Sequence, residues 1–260
     1  MDALTRARTL AGVDATPRPL SGGDISRVFQ VGDRVVKLLD QPPAGFFEAE
    51  ARGLLRLRMA GAPVPEVLDV FEDALVLSYH APGEPDWRWF GQTMAALHRT
   101  QASAYGSETA LFLGRFGLPA GTRHDATKAL VDLRLRPLLD ATRAQLGPRR
   151  SERVERFLDG LDLPNEGPSE VHGDLWSGNV LHTTKGPMLI DPSAQGAERA
   201  YDLAMMRWLG GFPSSFWEAY DAHYPRPPAV HASLPAYTLV FVLVHVAMFG
   251  GYLDAVDQIV

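Results

Sequence analysis

Apolar and polar positions alternate with period two around Val28–Val31 and again over Val35–Leu39, with the turn residues Gly32-Asp33 between them, which predicts a β-hairpin. From Phe46 to Ala60 the period changes to that of a helix, with Phe47, Ala51, Leu54, Leu55 and Met59 near one face and Gly61 as the stop. Two further strands are expected at Val67–Phe71 and Ala74–Ser78, separated by a turn at Glu72-Asp73. The segment Tyr79–Pro85 then shifts to linker composition. Beyond it the pattern is helical over Trp87–Thr100, Ala126–Leu146, Ser151–Leu161, Asp202–Trp208, Ser214–His223 and Leu234–Phe249. A polar loop and two short strands, Val180–His182 and Met188–Ile190, interrupt it. The pattern predicts an α+β fold: a small strand-rich lobe over residues 1–80 and a larger, mostly helical lobe over residues 81–260.

The most apolar stretch, Tyr237–Phe249, falls short of the roughly 20 residues that span a bilayer and is expected to be a core helix. With 260 residues and 46% hydrophobic content, the chain can bury a sizeable core. A net charge of −6 and a pI near 5.7 argue against a general nucleic-acid binder, which would carry a basic face. The absence of cysteine excludes disulfides, thiolate metal sites and a cysteine nucleophile, and it fits a reducing compartment. Met1–Pro17 holds no apolar run of the kind a secretory signal needs, so the cytoplasm is the expected location.

Chemistry concentrates in the interruption. The run Val-His-Gly-Asp-Leu-Trp-Ser-Gly-Asn, from Val171 to Asn179, places a carboxylate at Asp174 and a carboxamide at Asn179, and a second carboxylate follows at Asp191 after the two short strands. A phosphoryl-transfer site needs one acid to orient and deprotonate the attacking hydroxyl, and oxygen ligands that hold Mg²⁺ against nucleotide phosphates. Asp174 suits the first task, and Asn179 and Asp191 suit the second. Lys37 ends a strand where an ammonium would reach phosphates, and the next helix offers Glu48 or Glu50 to hold it; Glu50 is the better placed. The turn at Gly22-Gly23 would lay backbone N–H groups over phosphates. Trp176, beside the base, either walls an acceptor pocket or packs into the core. His172 and His182 lack a zinc spacing and are expected to be structural.

Together, Gly22-Gly23-Asp24-Ile25, Lys37, Phe47-Glu48-Ala49-Glu50-Ala51, the His172–Asn179 loop, Ile190-Asp191-Pro192, Asp202-Leu203-Ala204-Met205 and Gly210-Gly211-Phe212-Pro213 resemble the fructosamine kinase family. That family lies within the aminoglycoside-phosphotransferase-like and choline-kinase-like group, and the similarity runs from about Gly22 to about Tyr252. The resemblance implies a protein-kinase-like bilobal fold, ATP and Mg²⁺ as cofactors, Asp174 as catalytic base, Asn179 and Asp191 as metal ligands, and Lys37 paired with Glu50. It also implies adenine against Ser78-Tyr79-His80 through backbone hydrogen bonds. The implied acceptor is a sugar hydroxyl of a ketoamine (a fructosamine or ribulosamine), either as a small molecule or on glycated protein lysines. No nucleic-acid or membrane partner is expected, and the chain should be a monomer or weak dimer. It departs from the family pattern at Ser78, over Gly114–Asp132, and directly after Asp191. A kinase of another hydroxyl acceptor (an aminoglycoside, a sugar or a choline-like amine) and a non-catalytic nucleotide-binding pseudokinase remain as alternatives.

Overall fold

A computed structural model describes residues 2–20 and 25–260; the Gly22-Gly23 turn lies outside the described residues. Helix α1 (Ala3–Ala11) precedes strands β1 (Arg18–Leu20), β2 (Arg27–Val31) and β3 (Arg34–Leu38). Helix α2 (Phe46–Met59) follows, then strands β4 (Val67–Phe71) and β5 (Ala74–Ser78). These strands form one antiparallel sheet in the order β1-β2-β3-β5-β4. The expected hairpin turns at Gly32, whose φ of 62° is open to glycine without steric cost.

On α2 the expected apolar face is rotated. Phe47, Glu50, Gly53, Leu54 and Leu57 are buried, whereas Leu55 is 55% and Met59 81% exposed. The helix turns toward the sheet the stripe that carries Glu50, and Glu50 meets Lys37 of β3. The buried stripe holds Phe46, Phe47, Leu54 and Leu57 beside Glu50, more apolar bulk than the two side chains left on the far face.

Helix α3 (Trp87–Arg99) begins the helical lobe, capped by Asp86, whose side chain accepts from the Trp89 N–H. The sequence pattern misses what comes next: strands β6 (Tyr105–Ser107), β7 (Leu111–Leu113), β8 (Phe116–Leu118) and β9 (Gly121–Arg123). Strands of three residues are too short to show alternation. Helix α4 (Ala126–Leu130) passes through a π-helical turn, Val131–Leu135, into α5 (Arg136–Asp159). Pro137 has no N–H to give the Leu133 carbonyl, and Arg134 Nη1 donates to that oxygen instead at 2.7 Å. The two helices expected at Ala126–Leu146 and Ser151–Leu161 are nearly continuous, broken at Gly147 with φ 71°.

Strand β10 (Ser169–Val171) leads into the polar loop, followed by the hairpin β11 (Val180–Thr183) and β12 (Gly186–Leu189), and by β13 (Gln195–Ala197). Ile190 leaves the ladder, one residue earlier than the pattern predicts. Strands β10, β13, β6 and β9 make a second antiparallel sheet in that order. Helices α6 (Ala200–Leu209), α7 (Ser214–His223), α8 (Pro228–Phe249) and α9 (Leu253–Ile259) complete the lobe. Helix α8 starts earlier than expected and its 22 residues are long and apolar enough to cross a membrane, which corrects the argument from length. In this fold its centre, Leu239 to Leu243, is at most 1% exposed in the main core, packed among α5, α6 and β8.

Candidate active site

The polar loop is held from beneath by one carboxylate. Asp202, in the first turn of α6 and fully buried, accepts the backbone N–H groups of His172 at 2.7 Å and Gly173 at 2.8 Å. His98 Nε2 of α3 bonds the same carboxylate at 3.1 Å, and His98 Nδ1 meets the Tyr220 hydroxyl of α7 at 2.9 Å. Burial pushes the Asp202 carboxyl up, but the bonds from His98 and the loop outweigh it and hold the group below the usual carboxylate range. Neither Asp202 nor His98 is a site residue by sequence pattern. For Asp202 the sequence signals are its place in the Asp202-Leu203-Ala204-Met205 run of the family resemblance and its position in the first turn of the helix after the second carboxylate; His98 has none.

His172 links the two halves of the site. Its Nδ1 accepts the Asp174 N–H at 3.2 Å, so the proton sits on Nε2, which donates to the Ile190 carbonyl at 2.8 Å. Burial lowers its pKa, consistent with a neutral ring. The structural role expected for His172 is therefore specific: it ties the loop of Asp174 to the residue before Asp191. Gly173 has φ 84°, and a Cβ there would lie 2.1 Å from the Ser193 carbonyl oxygen. Only glycine lets these two segments approach so closely.

Asn179 ends the loop in a single 3-10 turn, Ser177–Asn179. Its Nδ2 donates to the Asp174 carbonyl at 2.7 Å and lies 3.4 Å from Asp174 Oδ2. This bonding fixes which way the amide points, and Oδ1 takes no hydrogen bond among the described residues. Burial and the nearby Asp191 push the Asp174 carboxyl up to about 7, opposed by the Asn179 contact. Trp176 is half-buried, and its ring folds back over Gly178, where a Cβ would meet it at 2.2 Å. His182 packs edge-on against Trp87 at 4.5 Å.

Lys37 joins the lobes. Its ammonium donates to Glu50 Oε1 at 2.7 Å and to Asp191 Oδ1 at 2.5 Å. Burial works against its charge, but the carboxylates of Asp191 and Glu50 outweigh that and hold the proton on, above the usual lysine range. One cation between two acids leaves a negative charge in excess, and burial pushes the Glu50 carboxyl up to about 7. Asp191 itself has φ 55°, a left-handed conformation costly for a non-glycine residue. Its side chain is 42% exposed. Asn179 Oδ1 and the second Asp191 oxygen thus remain as hard oxygen donors at the cleft. Mg²⁺ takes one or two such protein ligands and completes its shell with phosphates and water, so the donor set fits that ion.

At the segment expected to carry adenine, the Ser78 and Tyr79 N–H groups are spent on the carbonyls of Glu66 and Asp33, both at 2.9 Å. His80 Nε2 meets the Ser78 hydroxyl at 3.0 Å. The His80 N–H donates to no acceptor among the described residues, which narrows the backbone groups open to a base.

The family model for fructosamine kinase matches residues 5–260. A Thermus thermophilus relative assigned as a ketoamine kinase is 47% identical, over 98% of this chain and 97% of its own length. A crystal structure from Thermobifida fusca, of a protein assigned as a fructosamine-3-kinase, superposes with a TM-score of 0.86 at 30% identity, covering 99% of this chain and 97% of that one. The aminoglycoside phosphotransferase APH(4)-Ia in its complex with ADP and hygromycin B shares the fold, with a TM-score of 0.61 at 18% identity over 100% of this chain and 99% of that one. This chain belongs to the fructosamine kinase family.

Proposed function

We propose that the chain transfers the γ-phosphoryl group of ATP, with Mg²⁺, to a sugar hydroxyl of a ketoamine, a fructosamine or ribulosamine. The observation that carries this reading is the convergence of Lys37, Glu50 and Asp191 across the cleft, beside the loop that holds Asp174 and Asn179. Asp174 is the base that orients and accepts the proton of the attacking hydroxyl. Its carboxyl, raised to about 7, suits proton transfer near neutrality. Asn179 and Asp191 are the ligands for Mg²⁺, which would neutralise charge developing on the phosphate oxygens. Lys37, steadied by Glu50, contacts the phosphates, and the Gly22-Gly23 turn covers them. Adenine lies along Ser78, Tyr79 and His80.

The assignment of the Thermus thermophilus relative as a ketoamine kinase supports this acceptor. The hydroxyl belongs to a small ketoamine or to a glycated lysine on a protein surface. The absence of cysteine fits action in the cytoplasm. The test is ATP consumption by the purified chain with fructosyl-lysine, ribulosyl-lysine and aminoglycosides in parallel, with and without Mg²⁺. Turnover confined to the ketoamines supports the assignment; turnover on an aminoglycoside alone, or on none, refutes it.

A further inference from the structure

Helix α2 carries Glu50, and the helical lobe holds this helix at three places. At its start, Phe46 packs against Phe112 of β7, with ring centroids 5.3 Å apart. In its middle, Gly53 lies so close to Pro192 that a Cβ there would come within 3.0 Å of the proline Cγ and 3.3 Å of its carbonyl oxygen. Glycine weakens a helix interior, and here it permits the close approach. In the last turn, Arg56 reaches Glu170 of β10 with both arms of its guanidinium. Nε donates to Oε2 at 2.5 Å and Nη2 to Oε1 at 3.1 Å, across 114 positions of the chain.

Glu50, Gly53 and Arg56 follow one another at every third position, a single row along the helix. Their partners are the parts of the site that must meet. Glu50 takes Lys37, Gly53 lies on the residue after Asp191, and Arg56 takes a carboxylate two residues before His172, where the polar loop begins. The Arg56 and Glu170 side chains are 29% and 14% exposed, so water screens this pair far less than Arg58 and Glu66, which stand 4.0 Å apart at 44% and 60% exposure. Phe46 and Gly53 make packing contacts. The fork of Arg56 adds two directional bonds, which a point charge such as lysine does not reproduce.

We propose that Arg56 and Glu170 are positioning residues for phosphoryl transfer, a role that rests on the kinase reading above. The pair ties the end of α2 to β10, and so keeps Glu50 on Lys37 and Lys37 beside Asp191 as nucleotide enters. Transfer needs that lysine–glutamate pair in place, and the position of the helix that supplies the glutamate decides it. In this chain the helix is fastened to the lobe that carries Asp174. Arg56 and Glu170 act through Glu50 and Lys37, not on a reacting atom.

Arg56→Gln and Arg58→Gln make the same change of charge on the same helix, the second at an exposed position, and together they test the role. Three quantities are read on the full chain well below its Tm: hydrogen exchange without ligand, affinity for a non-hydrolysable ATP analogue with Mg²⁺, and ketoamine turnover. In Arg56→Gln the amides of residues 50–57 should exchange about tenfold faster and the analogue should bind about tenfold more weakly, while kcat falls and KM for the ketoamine stays unchanged. Arg56→Lys should recover part of each loss, and Arg58→Gln should match the wild type. If Arg56→Gln does not fold, Glu170→Gln keeps an acceptor oxygen for Arg56 and should shift the same quantities by smaller factors. Unchanged exchange in the folded variant would overturn the proposal. So would faster exchange with wild-type nucleotide affinity and kcat, because the pair would then serve stability alone. A wild-type chain that binds no nucleotide refutes the kinase reading and this role with it, and that outcome is distinct because it involves no substitution.

Discussion

Lys37 and Asp191 stand 154 positions apart in the chain, and their side chains meet at 2.5 Å. Lys37 lies on the central strand of the first sheet, and Asp191 follows the β11–β12 hairpin of the helical lobe, so this contact fixes the two lobes against each other at the cleft. Glu50 takes the remaining side of the same ammonium at 2.7 Å. The left-handed backbone at Asp191 places its carboxylate there. An approaching phosphate would meet a cation already oriented by two acids, which lowers the cost of positioning it during transfer.

Lys37→Met leaves Glu50 buried without a counter-charge. Unfolding in urea should show a loss of about 3–5 kcal/mol, the usual cost of breaking a buried pair from one side. Lys37→Met/Glu50→Gln should recover much of that stability while phosphoryl transfer stays lost. A double variant no more stable than the single one would show that the pair does not carry this energy.

Asp174→Asn keeps the shape of the loop and removes the proposed base. Turnover with a ketoamine should fall by about 10²–10⁴-fold with ATP affinity retained, as read by ADP release and nucleotide titration. Because burial disfavours charge at this position, Tm at pH 8 should match or exceed that of the wild type. Near-normal turnover would remove Asp174 from the mechanism.

Asp202→Asn tests the anchor of the loop. An amide has one acceptor oxygen where the carboxylate uses both, so at least one of the His172 and Gly173 N–H bonds is lost, as is the charge facing His98. We expect destabilisation of about 1–3 kcal/mol. Because Asp202 touches no reacting atom, kcat should fall more than KM rises. Unchanged kcat in the folded variant would limit the residue to stability.

The pH dependence of stability should carry a contribution from Glu198. Burial pushes its folded carboxyl up to about 7 from an ordinary value of 4.5, so the folded state holds the proton more tightly than the unfolded state. That stabilisation is complete below 4.5 and is lost as pH rises through 7. Glu198→Gln keeps an acceptor for Tyr105 and removes the titration. Its Tm relative to wild type should therefore rise between pH 5 and pH 8, which scanning calorimetry reads directly.

Gly173→Ala forces a Cβ to within 2.1 Å of the Ser193 carbonyl at a φ of 84°. The strain, about 1–3 kcal/mol, is relieved by separating the loop of Asp174 from the Ser193 segment that follows Asp191. Both stability and turnover should drop, and a crystal structure of the variant should show the loop displaced.

By itself, the sequence determined the elements with clear periodicity and singled out the residues that the proposed chemistry uses. β2 to β5, α2 and α3 follow from alternation and helical period, and the order of Lys37, Glu50, Asp174, Asn179 and Asp191 matches what the proposed phosphoryl transfer needs. Tertiary structure decided whatever depends on pairing between distant residues. The buried face of α2 packs Phe46, Phe47, Leu54 and Leu57 and brings Glu50 to Lys37, leaving Leu55 and Met59 in solvent. Strands β6 to β10 and β13, of three residues each, exist because they pair with one another and carry no pattern of their own. Asp202 and His98 become parts of the site only when α6 and α3 pack beneath the loop, because hydrogen bonds between residues 29 to 104 positions apart leave no local trace in the chain.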